Sequence, residues 1–201
     1  MKRLLAVTAL LAVLVVPVSG QIAWDSPAVI GPSVPSGFSI FLIDPAGGDL
    51  GAMGTLRHAA GPVGLGYRAA IAEESAPGGD LAVSGGIDVS GMLGRGIEGS
   101  EIDAMWWAGG GLSIGTDWVI SAPLGIILGW SGEGDSVVFN PYGGGHLVLD
   151  ISGNNGNALN LDGVIDLGLD MVLASGWMIR VGASVGDRES IAFGIKIPGG
   201  S

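Results

Sequence analysis

The sequence predicts an all-β protein, an antiparallel up-and-down transmembrane β-barrel of 8 to 10 strands, and three observations carry that expectation. The first is apolar alternation sustained over 13 to 15 residues. In 159–173, Leu159, Leu161, Gly163, Ile165, Leu167, Leu169, Met171 and Leu173 share one face, and Asn160, Asp162, Val164, Asp166, Gly168, Asp170 and Val172 share the other. Soluble strands usually stop at about 5 to 6 residues, whereas a tilted strand needs about 9 to 11 to cross hydrocarbon. The second is scarcity of charge: charged residues are 13% of the chain, against roughly 25 to 35% on a soluble domain's surface. The third is a positive mean hydropathy in a chain lacking, after its first 20 residues, any unbroken apolar run of the length a spanning helix requires.

Residues 1–20 have the layout of a secretory signal. Lys2 and Arg3 precede an apolar core over 4–16, then Pro17, and Val18, Ser19 and Gly20 permit cleavage before Gln21. The core is too short for a comfortable spanning helix. With no cysteine in the chain, neither an N-terminal lipid anchor on cysteine nor a disulfide framework is available. Loss of Lys2 and Arg3 takes the basic residues from 8 to 6 against 19 acidic ones, a net charge of −13. No nucleic-acid partner fits that balance. Residues 21–37 place Pro27, Pro32 and Pro35 among Ser and Gly and read as an extended lead-in without regular pairing. The barrel domain is expected over 38–201.

Ten strands are expected, at 38–44, 50–57, 62–72, 81–92, 102–114, 118–130, 137–152, 159–173, 177–185 and 191–197. The connectors carry turn chemistry, as in Asp44, Pro45, Ala46, Gly47, Gly48 or Gly115, Thr116, Asp117. All are short enough for antiparallel hairpins. An even strand count puts both termini on one side, which for a single-chain bacterial barrel is the periplasmic side.

Alternation alone leaves open a soluble secreted or periplasmic barrel of lipocalin type, with the apolar row inside around an apolar ligand. The opposite row argues for the membrane. In 62–72 the large positions are Val63, Leu65, Tyr67, Ala69 and Ile71, and their alternates are Gly64, Gly66, Arg68, Ala70 and Ala72. Small residues with an occasional charge suit a crowded lumen, where Arg68, Arg180 and Lys196 can pair with Asp88, Asp103, Asp150, Asp162, Asp166 and Asp170. Trp118 and Trp130 bracket one strand on its apolar face. Twelve steps of about 3.3 Å at a tilt of roughly 40° span about 30 Å, close to the apolar band of about 25 Å with its aromatic girdles. Trp177 is expected in the same girdles.

The stretch Asn140, Pro141, Tyr142, Gly143, Gly144, Gly145 resembles a strand of the small outer-membrane β-barrel family of the OmpA and opacity-protein type. The run from Leu167 to Arg180, with Trp177 after its tight turn, resembles that family's penultimate hairpin. The resemblance implies a Gram-negative outer-membrane location and a structural, surface-interaction or weak passive, porin-like role. It implies outer-membrane lipid and lipopolysaccharide as partners and no cofactor. It also implies a closing-strand signal for the outer-membrane assembly machinery. Ser190, Ala192, Ile195 and Ile197 stand at the matching spacing, with alanine in place of the family's glycine and no terminal aromatic.

His146, Asp150 and Ser152 share the expected lumen face and invite a hydrolase reading, since some similar barrels modify lipids. Residues i and i+4 of a strand lie about 13 Å apart, too far for contacts of about 3 Å, so an interior polar network is the better expectation and no catalytic residue is assigned. Asp162, Asp166 and Asp170 form a ladder with Arg180 as its expected main counter-ion, either an internal ion-pair core or a cation-attracting bore. Asn154, Asn155, Asn157, Asn160 and Asp162 lack the calcium-loop spacing and read as turn residues, so no metal site is expected. The glycine runs 109–111 and 143–145 lie within strands and are expected to mark close packing.

Overall fold

The computed structural model describes residues 24–33, 36–60, 63–74, 80–96, 100–132, 134, 136–153 and 158–198; the expected signal segment at 1–20 lies outside them. Ten strands follow in order: β1 (Gly37–Asp44), β2 (Gly48–Ala60), β3 (Val63–Glu74), β4 (Leu81–Gly94), β5 (Ile102–Ile114), β6 (Trp118–Trp130), β7 (Val137–Ser152), β8 (Ala158–Leu173), β9 (Met178–Gly186) and β10 (Ser190–Lys196). Each pairs antiparallel with its chain neighbours, and β10 returns to β1 to close the barrel. At the closure Ser39 faces Lys196, Phe41 faces Gly194 and Ile43 faces Ala192. Closure satisfies the sheet's backbone groups within the sheet, the condition for a β-structure to lie in hydrocarbon. The observed strands match the expected ones in number, order and pairing. The largest differences are at β2, which begins at Gly48 and runs to Ala60, and β3, which runs to Glu74. Their polar rims still pair, with Gly48 opposite Glu74 and His58 opposite Leu65, because ladder bonds continue past the apolar part of a strand.

The alternation is turned outward. Along β6, Trp118, Ile120, Leu124, Ile126, Leu128 and Trp130 are exposed, while Val119, Ser121, Pro123, Gly125, Ile127 and Gly129 are buried. On β8, Leu167 is 60% exposed and its neighbour Asp166 is 1% exposed. The same inversion holds for β3, where Tyr67 and Ile71 point out and Arg68 and Ala72 point in. A soluble calyx would require the opposite. The apolar exterior is the surface expected of a membrane barrel, and no helix among the described residues is long and apolar enough to cross a membrane.

The wall is uneven in height. β7 and β8 have 16 residues each, whereas β9, β10 and β1 have 9, 7 and 8. β8 pairs with β9 only as far as Val164 opposite Gly186, and the backbone NH of Gly163 donates to the Asp187 carboxylate beyond it at 2.8 Å. β1 starts at the end of the barrel where β10 finishes, here called the terminal end; the β1–β2, β5–β6 and β9–β10 connections lie at the opposite end.

An arginine on the outer face has to be drawn into hydrocarbon, at a cost of about 2 to 4 kcal/mol near the bilayer midplane. Leu167→Arg, halfway along β8, is therefore expected to destabilise folding into lipid vesicles by about that amount. Urea titration monitored by tryptophan fluorescence measures the loss.

Candidate functional site

The lumen is occupied by the chain's own N-terminal segment. Residues 24–33, within the expected lead-in, form no strand but run through the barrel interior, with Trp24 to Gly31 all buried. The Asp25 carbonyl accepts from the Ala46 backbone NH in the β1–β2 connection at 3.2 Å. Near the terminal end the Ser33 and Ser131 hydroxyls meet at 2.8 Å. The segment thus passes along the bore before the chain turns into β1.

Because prolines and an irregular backbone leave this segment without a ladder, side chains of the wall satisfy its peptide groups. Arg68 Nη2 donates to the Ala28 carbonyl at 3.2 Å, and the Ala28 NH donates to Asp166 Oδ1 at 3.4 Å. Arg180 Nη1 donates to the Val29 carbonyl. Val29 has φ 44°, a left-handed conformation that a β-branched residue adopts only under constraint. Trp24 stacks on Trp107 with centroids 5.6 Å apart, and the Arg68 guanidinium lies 3.9 Å over its ring. The glycine run in β5 provides the room: a Cβ at either Gly109 or Gly111 would come within 2.6 Å of the Trp24 ring.

Around the segment lies a network of buried ion pairs. Asp88 pairs with Arg57 and, at 3.8 Å, with Arg68. Asp170 takes Arg180 through two hydrogen bonds, the fork geometry that suits a guanidinium to a carboxylate. Asp166 lies 2.8 Å from His146 Nδ1, and the His146 ring is 5.2 Å from that of Trp107. Arg188, in the β9–β10 connection, reaches inward to Asp25 at 2.5 Å, Asp162 at 2.7 Å and Asp150, which also accepts from the Ser121 hydroxyl.

The residues singled out from the sequence fall as follows. Arg68, Asp88, His146, Asp150, Asp166, Asp170, Arg180 and Lys196 are buried on the lumen face and Asp162 is half-buried there. Asp103 stands apart, half-buried, accepting from the Gly96 backbone NH at 3.1 Å in the β4–β5 connection. Lys196 lies on the lumen face at the terminal end, its stem against Gly37. The aspartate ladder is divided: Arg180 serves Asp170, Asp166 meets His146, and Asp162 is held by Arg188. His146 therefore faces Asp166 across β7 and β8, where Val164 is its register partner. Trp118, Trp130 and Trp177 are exposed, Trp118 at the opposite end and the other two at the terminal end. Of the closing-strand residues, Ser190 and Ala192 face inward, whereas Ile195 and Ile197 face outward.

Arg57, Arg188, Asp25 and Trp24 were not anticipated from the sequence. Asp187, Arg188 and Glu189 form a connection that reads as a solvated turn. The available signal was one of supply: only 6 basic residues remain after Lys2 and Arg3, so the inward carboxylates together need most of them.

One guanidinium among three carboxylates cannot neutralise them all. Burial lowers the proton affinity of Arg188, but Asp25, Asp150 and Asp162 outweigh it and hold the guanidinium above its ordinary value.

No family model matches the chain, and no curated protein matches it.

Proposed function

We propose that this protein is a small outer-membrane β-barrel, exported through its N-terminal signal, with a structural or surface-interaction role and a lumen closed at rest by residues 24–33. The observation that carries the reading is the inversion of faces, with Leu167 60% exposed beside Asp166 at 1%. Strands of 12 to 16 residues over β2 to β8 support it, as do the outward tryptophans at both ends of β6. The resemblance to the OmpA and opacity-protein type belongs to the same reading. Its partners are outer-membrane lipid and lipopolysaccharide, and the assembly machinery that would read Ser190, Ala192, Ile195 and Ile197.

A lipocalin-like role is disfavoured because the lumen is lined by arginines, carboxylates, serines and glycines and holds a peptide. A permanently open pore is disfavoured by the same peptide. We assign no catalytic role to His146, whose approach to Asp166 and Trp107 lies beneath the segment.

The unboiled protein is expected to migrate differently from the boiled one on a denaturing gel and to require detergent for a monodisperse state. Free solubility without detergent would defeat the membrane reading. In planar bilayers the full mature chain is expected to be silent, while a chain lacking residues 24–33 should show conductance steps, because the segment then no longer fills the bore. Equal conductance from both proteins would overturn closure by the segment.

A further inference from the structure

Strand β8 has an open side at the end of the barrel opposite the termini. β9 pairs with it only from Val164 onward, so Leu159 to Gly163 have β7 on one side and no described strand on the other. Gly163 shows which backbone groups face that side: its carbonyl accepts from the Asp187 NH at 3.1 Å, and its NH donates to the Asp187 carboxylate at 2.8 Å. Backbone groups alternate in direction along a strand, so those of Leu161 and Leu159 point the same way and those of Asn160 and Asp162 point to β7. An open row of this kind is a template for an added strand. Twelve steps separate Leu161 from Leu173, whose NH donates to the Trp177 carbonyl at 2.9 Å in the β8–β9 turn. At about 3.3 Å per step and a tilt of roughly 40° they rise about 30 Å. The open row therefore stands at the outer rim of the girdled band, within reach of a peptide arriving from water.

The surroundings of this row are acidic. The β9–β10 connection forms its foot and contributes Asp187 and Glu189, both exposed, while its Arg188 is bonded to Asp25, Asp150 and Asp162. Five carboxylates thus surround one guanidinium, and their field attracts cations. No described lysine or arginine is exposed at this end; Arg95, which is exposed, stands in the β4–β5 connection at the terminal end. A second copy of the chain therefore has no exposed basic strand to offer, and the charge selects a foreign segment. The side chains of β8 set the order of residues in it. Leu159 and Leu161 point outward, 58% and 52% exposed, whereas Asn160 and Asp162 point inward, with the Asp162 side chain 16% exposed. A strand laid beside them sets alternate residues against the leucines and against the Asp162 carboxylate.

We propose that the open side of β8 docks an extended basic peptide of a partner outside the cell, with the residue order apolar, lysine or arginine, apolar. The peptide runs antiparallel to β8 and exchanges backbone hydrogen bonds with Leu159 and Leu161. Its apolar residues lie beside the two leucines, and its cation lies over Asn160 and Asp162. The site rests on the outer-membrane reading, which puts the end opposite the termini outside the cell, and it gives the surface-interaction role a chemical class of partner.

The test uses the full mature chain in mild detergent and a fluorescein-labelled Thr-Val-Lys-Val-Thr peptide read by anisotropy, beside the same peptide with glutamate in place of lysine. The lysine peptide is expected to bind saturably, more weakly as salt is raised, and at least about tenfold more tightly than the glutamate peptide. Leu161→Pro removes an NH on the open side and leaves the β7 ladder of Asn160 and Asp162 in place. It is expected to weaken the lysine peptide at least about tenfold while keeping the heat-modifiable migration of a closed barrel. Asp187→Asn with Glu189→Gln keeps a carbonyl oxygen for the Gly163 NH and is expected to reduce the preference for lysine over glutamate at least about threefold. Should the proline variant not fold, the lysine peptide methylated on the backbone nitrogens that face β8 tests the same bonds from the other side, and is expected not to bind. Failure of the lysine peptide to bind, or equal binding of the two peptides, overturns the site. So does undiminished binding to a folded Leu161→Pro variant, or dimerisation of the chain itself that this variant abolishes. Each of these results leaves heat-modifiability and detergent dependence intact, so the failure of the site is distinguishable from the failure of the membrane reading.

Discussion

A closed sheet of ten strands has an interior that must be filled, and the rest of this structure follows from how it is filled. Eight strands leave a bore that side chains just occupy, and the diameter grows with each strand added. Here the inward positions include Gly86, Gly109, Gly111, Gly125 and Gly129, so the wall contributes less volume than usual. Ten residues of the chain itself make up the difference. A peptide in that position brings carbonyls and NH groups that need partners once water is excluded. Arg68, Arg180 and Asp166 supply them at Ala28 and Val29. Arg68 and Arg180 in turn require counter-charges, and the pairing spreads to Asp88 and Asp170, while Asp166 lies beside His146.

Buried pairs of this kind add little net stability, because desolvation of the two ions offsets most of their attraction; breaking one leaves an uncompensated charge at a cost of about 3 to 5 kcal/mol. Their effect here is positional. Arg180 ties Asp170 to the Val29 carbonyl, and Arg188 ties Asp25 to Asp150 and Asp162. The segment is fixed at two heights in the bore by residues on different strands and connections. The left-handed φ of Val29 sits between those anchors, where tension from both sides can hold a conformation that an unpinned valine would leave.

The strands were legible because alternation and turn chemistry are local. β5, β6 and β7 begin and end at the residues the sequence suggests. The orientation of each face was legible too, since small residues opposite large ones fit only a crowded interior. The path of the N-terminal segment was not. Pro27 and Pro32 speak against a ladder, and nothing local distinguishes a strand-free segment outside the barrel from one inside it. The complement of the segment is spread over β3, β5, β8, β9 and the β9–β10 connection, in Arg68, Gly109, Asp166, Arg180 and Arg188. Only three-dimensional closure brings those together, which is also why Arg188 was missing from the partners expected for the aspartate ladder, whose main counter-ion was expected to be Arg180.

The wall is much lower on one side of the barrel than on the other. At a tilt of roughly 40° the seven residues of β10 rise by only about 15 Å, and the sixteen of β8 by about 38 Å. A hydrocarbon slab of about 30 Å matches neither side. Lipids flanking the β9, β10 and β1 seam must shorten or disorder their tails, or the whole cylinder must lean until its low rim is drawn level. Either response concentrates curvature stress along the seam where first and last strands meet.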